Sequence, residues 1–119
     1  MKRYNSLSND RLQEILDRFS DLRIGVAGDF FLDKYLEIDP AIAEVSLETG
    51  KTAHQVVKVR HSPGAAGNVV NNLAALGAGT LYAIGFTGDD GESYDLRKDL
   101  AKVGCSIEHL HCDPERMTP

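Results

Sequence analysis

The sequence predicts an α/β fold: a parallel sheet with a small antiparallel β excursion set into it. Three observations lead there. Short apolar runs alternate with helical patterns in the order strand, helix, strand, helix, strand, which implies parallel strands joined by right-handed crossovers. The stretch after the first strand breaks that alternation with β-type patterning. The composition is globular, 42% hydrophobic and 26% charged over 119 residues, near the size of one small domain.

Taken in order, Leu12, Ile15, Leu16 and Phe19 fall at i, i+3, i+4 and i+7. They mark an amphipathic helix over about residues 9 to 21, with Ser8 or Asn9 as N-cap. Arg23-Ile24-Gly25-Val26-Ala27-Gly28 reads as a short buried strand ending at Gly28-Asp29. Residues 34 to 62 show no helical period. There Val56, Val57 and Val59 alternate loosely with Lys58 and Arg60, and Val45 and Leu47 flank Ser46. These are half-buried strands of an antiparallel excursion, broken at Asp39-Pro40 and Thr49-Gly50. Ser62-Pro63-Gly64 interrupts the chain before a helix over Ala66 to Leu76. Val69, Val70, Leu73 and Leu76 form its apolar face, and Gly77 its C-cap. Thr80 to Ile84 is a second buried strand, and Gly88-Asp89-Asp90-Gly91 is turn chemistry. A third helix over Glu92 to Val103 faces Leu96, Leu100 and Val103 inward, with Gly104 after its end. Ile107 to Leu110 completes the run as a third strand. Asp113 to Pro119 offers no helix or strand to close the domain, and three parallel strands leave an open edge. The sequence therefore reads as the front part of a larger domain.

Charge and cysteine usage exclude several classes. Thirteen Lys and Arg against eighteen Asp and Glu give a net charge of -5, no footprint for a nucleic-acid partner. No apolar run approaches the about 18 residues of a membrane span, and polar Asn5 to Asp10 follows basic Met1-Lys2-Arg3, so no signal-peptide core is present. Two cysteines, Cys105 and Cys112, fit free thiols in a reducing cytoplasm.

Three motifs invite chemistry and fail on context. Gly50-Lys51-Thr52 resembles a P-loop end, but Val45 stands where its first glycine belongs and no helix follows. Gly77-Ala78-Gly79 follows a helix instead of opening one and lacks the third glycine of a dinucleotide fingerprint, Tyr82 standing there. Cys105, His109, His111 and Cys112 lack the paired spacing of a structural metal site, so no metal ligands are assigned.

Two segments carry more. Gly28-Asp29-Phe30-Phe31-Leu32-Asp33 places two carboxylates beyond a strand's carboxyl end, where ligands sit in open α/β sheets. Asp29 and Asp33 could accept hydrogen bonds from sugar hydroxyls, or serve as Asx-turn or helix-cap residues. Pro63-Gly64-Ala65-Ala66-Gly67-Asn68 brings small residues to a helix start. There Gly64, Ala65 and Asn68 either let a ligand approach the backbone or meet a need for close helix–sheet packing.

In this order and spacing, these segments resemble the N-terminal part of the ribokinase (PfkB) family of carbohydrate kinases, over about residues 10 to 119. Ile84-Gly85-Phe86-Thr87-Gly88-Asp89-Asp90-Gly91 follows that family's G-x-x-G-x-D-x-x-G pattern except in its final glycine. The resemblance implies a Rossmann-like parallel sheet of ribokinase-like fold, with core segments 9–33 and 63–119 and a substrate lid at 34–62. Gly28-Asp29 through Tyr35 is most similar to bacterial heptose 7-phosphate kinases, with Ser46-Leu47-Glu48 where their lid carries Ser-Pro-Glu. By position, Asp33 would bind substrate hydroxyls, and Gly64, Ala65 and Asn68 would line the sugar site, with Asp29 beside it. Ala65 stands where the family usually has a second glycine, and its methyl narrows the approach. The family's catalytic base lies in a C-terminal Gly-Ala-Gly-Asp segment; Gly77-Ala78-Gly79-Thr80 has Thr80 in the base's place. The resemblance thus implies ATP and Mg²⁺ as cofactors, with the nucleotide site mostly outside this chain, no catalytic residue within it, and no activity for the chain alone. A second reading is a non-catalytic sugar-binding or regulatory module, a homodimer through its lid strands. A third, a nucleotide-binding α/β domain of another family, is disfavoured by the missing fingerprints.

Overall fold

A computed structural model describes residues 7–119; the basic Met1-Lys2-Arg3 start lies outside them. The chain runs α1 (Asn9–Asp17), β1 (Arg23–Ala27), β2 (Leu32–Val45), β3 (Thr52–Pro63), α2 (Ala65–Ala75), β4 (Thr80–Thr87), α3 (Gly91–Lys102) and β5 (Cys105–Cys112). The strands form a parallel sheet in the order β1-β4-β5 and a separate antiparallel pair, β2-β3.

In the parallel sheet Ile24 pairs with Leu81 and Val26 with Ala83. These residues point to the side covered by α2 and α3, where Val70, Leu96 and Leu100 complete the core with Leu110 and Cys105. Two consecutive right-handed crossovers in one direction put both helices on the same face. Among the described residues the other face is uncovered: Ile84 and Phe86 alternate outward along β4. The strands expected to be buried are therefore buried on one face only. On edge strand β1, only Val26 is fully buried.

Helix boundaries follow their caps. Ser8 caps α1, its Oγ accepting from the Arg11 N–H at 3.2 Å. The predicted helix to residue 21 instead ends at Asp17 and continues as a 3₁₀ turn over Phe19–Asp21. None of the nine residues of α1 is buried; of the stripe, Leu12, Ile15 and Leu16 are exposed and only Phe19, beyond the helix end, is half-buried. On α2, Val70 is buried and Leu73 half-buried, while Val69 and Leu76 are exposed. Gly77 follows with φ +83°, and Gly104 follows α3 with φ +75°, the left-handed conformation that glycine adopts without strain. On α3, Val103, expected to face inward, is 37% exposed. Strands β4 and β5 extend beyond the apolar runs that predicted them, to Thr87 and over Cys105–Cys112.

The excursion is a long hairpin. Its two strands continue through Asp39-Pro40, where a break was expected. Pro40 has no N–H to give the ladder, so the register slips between Asp39 and Glu44 and then resumes. The Gly50-Lys51-Thr52 motif sits at the hairpin turn, with Gly50 at φ +66°. The strands are not half-buried: residues 51–60 are exposed throughout. Among the described residues the hairpin is held at its base, where Lys34 Nζ meets Glu92 Oε1 at 2.7 Å and His61 Nε2 meets Asp95 Oδ2 at 3.6 Å, both on α3. The Lys34 pairing raises its own pKa and lowers that of Glu92.

Candidate functional site

Beyond β1, the chain is tied at once to the start of α2. The Ala66 N–H donates to the Asp29 carbonyl at 3.1 Å, and the Gly64 N–H to the Phe31 carbonyl at 2.7 Å. One N–H at the helix start is thus already occupied by backbone. Phe30 is buried in the core, and Asp29 is left exposed at the carboxyl edge.

The residues after β5 complete this edge. Asp113 donates its N–H to the Thr87 carbonyl at 2.9 Å, and its carbonyl accepts from Arg116 at 3.1 Å. Thr118 is buried; its N–H donates to Asp90 Oδ2 at 2.7 Å, and its Oγ1 accepts from the Gly88 N–H at 2.9 Å. The Pro119 carbonyl accepts from the Leu32 N–H at 3.0 Å. Gly88 has no room for a side chain, because a Cβ there would stand 2.4 Å from the Arg116 carbonyl oxygen. Asp90 also caps α3, accepting from the Ser93 N–H at 2.8 Å. Backbone donation from Thr118 and then Ser93 holds its carboxyl below the usual range. Under this corner, Arg97 donates to Thr87 Oγ1, Ser93 Oγ and the Leu110 carbonyl, so no buried side-chain polar atom is left unpaired among the described residues.

Between loop and tail lies a cavity of about 260 Å³, lined by Asp29, Phe31, Phe86, Arg116, Met117 and neighbouring backbone. A second cavity of about 490 Å³ runs along the open β1 edge, past Asp29 to Ala65, Val69 and Leu73. Asp29 borders both. Ala65 borders the second, exposed at the first position of α2. Asp33 lies in β2 opposite Ser62, half-buried, and Asn68 is exposed a turn into α2; neither lines either cavity. Gly64 is buried, and its missing side chain makes room for the Phe31 ring, 2.0 Å from where a Cβ would be. Its place is set by packing. Sequence reasoning missed Phe86, Arg116, Met117 and the Asp90–Thr118 bond. Their only signal was turn chemistry at Asp113-Pro114 and a glycine-rich run at 85–91.

The cysteine and histidine group is dispersed. Cys105 is buried, which raises its thiol pKa, and Cys112 is exposed. The His109 ring lies 6.0 Å from that of Tyr82, and His111 meets Phe86 edge-on at 6.0 Å. Gly77-Ala78-Gly79 forms the turn between α2 and β4, with the Gly79 N–H donating to the Phe19 carbonyl.

Residues 32–119 match the family described as pfkB family carbohydrate kinase. The chain belongs to that family. It is 32% identical over 112 residues to the bifunctional protein HldE of Syntrophotalea carbinolica, covering 94% of this chain and 22% of that protein. To HldE of Desulfatibacillum aliphaticivorans it is 37% identical over 100 residues, 84% of this chain and 20% of the other. The chain thus spans about a fifth of the length of these curated relatives. Among solved structures it resembles a PfkB protein from Polaromonas (TM-score 0.56, 24% identity, 82% of this chain and 29% of that one). It also resembles the fructokinase of Halothermothrix orenii (TM-score 0.55, 21% identity, 82% and 31%). A third is the ribokinase of Cryptococcus neoformans, solved with ADP (TM-score 0.52, 21% identity, 81% and 28%). The parallel sheet with its antiparallel hairpin is thus the ribokinase-like fold of this pfkB chain.

Proposed function

We propose that this chain is the N-terminal portion of an ATP-dependent kinase that phosphorylates a hydroxyl of a sugar or sugar phosphate, with heptose 7-phosphate as the acceptor its sequence fits best. The observation that carries the reading is the position of Asp29, exposed at the carboxyl edge of β1 and bordering both cavities of that edge. A carboxylate there accepts hydrogen bonds from acceptor hydroxyls and orients them for in-line attack. Asp33, Ala65 and Asn68 extend the sugar site by family position, and Gly64 keeps the loop seated beside it. The lid, residues 34 to 62, closes over the acceptor and excludes water.

Membership of the family and the ADP-bound ribokinase of the same fold support ATP as phosphoryl donor. Among the described residues no group of three or more His, Cys, Asp or Glu side chains could hold a metal ion. Gly77-Ala78-Gly79-Thr80 only mimics the family's C-terminal Gly-Ala-Gly-Asp segment, with Thr80 opening strand β4, so in this reading the chain supplies acceptor binding without the base. The enzyme works in the cytoplasm, where sugar phosphates and free thiols coexist.

Calorimetry with heptose 7-phosphate tests the binding half. Saturable binding that weakens about tenfold or more in Asp29→Ala, the loss of a hydrogen bond to a charged group, supports the site. Equal binding by wild type and Asp29→Ala rejects it. Turnover of ATP by this chain, surviving purification to homogeneity, would overturn its proposed lack of activity.

One observation favours a second reading, a sugar-binding or dimerisation module. Leu36, Ile38, Val56 and Val59 share one exposed face of the lid.

A further inference from the structure

The cavity at the carboxyl edge carries opposite charges at its two walls. Among the side chains that line it, Asp29 on the β1 loop is the one anion and Arg116 the one cation. The Arg116 backbone is set in place by its surroundings, and its side chain is 67% exposed. Its backbone lies against Gly88, where no side chain fits, and buried Thr118 is bonded on both sides to Gly88 and Asp90. The guanidinium lies 5.7 Å from the centre of the Phe86 ring. Asp113 Oδ2 engages its Nε at 3.3 Å, and its terminal amino groups have no partner among the described residues. A planar guanidinium engaged at Nε and lying over a ring leaves its terminal amino groups to offer paired donors to an anion. A phosphate placed at the Asp29 wall would meet like charge, so the two walls impose a direction on an acidic ligand. The volume, about 260 Å³, suits one small ligand.

We infer that Arg116 is the anion-binding end of this cavity, holding the phosphate of a phosphorylated sugar whose hydroxyls face Asp29. The inference rests on the proposed sugar site and adds the residue that selects phosphorylated over neutral acceptors.

The test is calorimetry on the 119-residue chain with three probes: heptose 7-phosphate, the same heptose without phosphate, and inorganic phosphate. Wild type is expected to bind the phosphorylated sugar at least about tenfold tighter than either other probe. Arg116→Gln is expected to remove that preference, and Arg116→Lys to restore part of it. An unchanged preference in Arg116→Gln overturns the inference. So does inorganic phosphate binding as tightly as the sugar phosphate, which would mark a simple anion site. Equal binding of both sugars by wild type refutes the role of Arg116 and leaves the sugar site standing; no binding of either sugar refutes both.

Discussion

At Gly64 the space a side chain would need is filled by Phe31. A Cβ would stand 2.0 to 2.3 Å from three atoms of the ring, far inside contact distance. Gly64→Ala must push the ring or shift the loop that carries Asp29, and overpacking of this kind costs about 1–3 kcal/mol. The expected outcome is a lower denaturant midpoint with an unchanged slope. If the ring is the cause, Phe31→Ala should absorb the damage, so that the double variant is no less stable than Phe31→Ala alone. A Gly64→Ala protein as stable as wild type would show that packing does not fix this glycine. Ala65, the next residue, is exposed at the first position of α2. Ala65→Gly is expected to cost less than about 1 kcal/mol, so a gain in sugar affinity there would report directly on how closely a ligand approaches the backbone.

At the scale of elements, Asp90 joins α3 to the tail. One carboxylate oxygen accepts from Ser93 and caps the helix, and the other accepts from Thr118. Asparagine has a single acceptor oxygen, so Asp90→Asn can keep one bond and must lose the other. Faster amide exchange at Thr118 with α3 intact is the expected result; slow exchange at Thr118 would disprove the clamp. Asp90→Ala loses both bonds, and the cap alone is worth about 1 kcal/mol. Because the carboxyl is held below its ordinary value, its contribution is fully present above the unfolded value, near 4, and is lost as pH falls through the folded value. The stability gap between wild type and Asp90→Asn should therefore stay constant from neutral pH to about 4 and narrow below it, as urea titrations at stepped pH would show. The helix at this junction was legible in the sequence, because caps and apolar spacing are local signals. The tail was not. Its bonds to Asp90, Gly88 and Leu32 span 28, 30 and 87 positions, as Thr118, Thr118 and Pro119 reach back along the chain, and no periodicity encodes such contacts. For the same reason the order of strands and helices was readable while Arg116 was not.

At the scale of the whole molecule, apolar surface is distributed unevenly. Alternation in the sequence marked residues 34 to 62 as antiparallel strands, yet alternation says only which residues share a face, not what covers it. In the hairpin, Leu36 pairs with Val59 and Ile38 with Val56, each 44% to 56% exposed. The opposite face is polar: Tyr35 and Glu37 both engage Arg60. A two-stranded sheet is marginal in water by itself, and an apolar face rimmed by charge marks an interaction surface. A second copy of the chain presents the same face and can meet it through a two-fold axis, which leaves both charged faces wet. The hairpin is therefore expected to dimerise. Sedimentation equilibrium should give the mass of two chains at high protein concentration. Leu36→Lys with Val59→Lys should return it to one chain without changing the far-ultraviolet spectrum. Lys58→Glu, on the polar face, is expected to leave the association intact. If it weakens association as much as the apolar double variant does, the interface lies on the other side of the hairpin; if wild type stays monomeric at high concentration, a second copy is not what covers the apolar face.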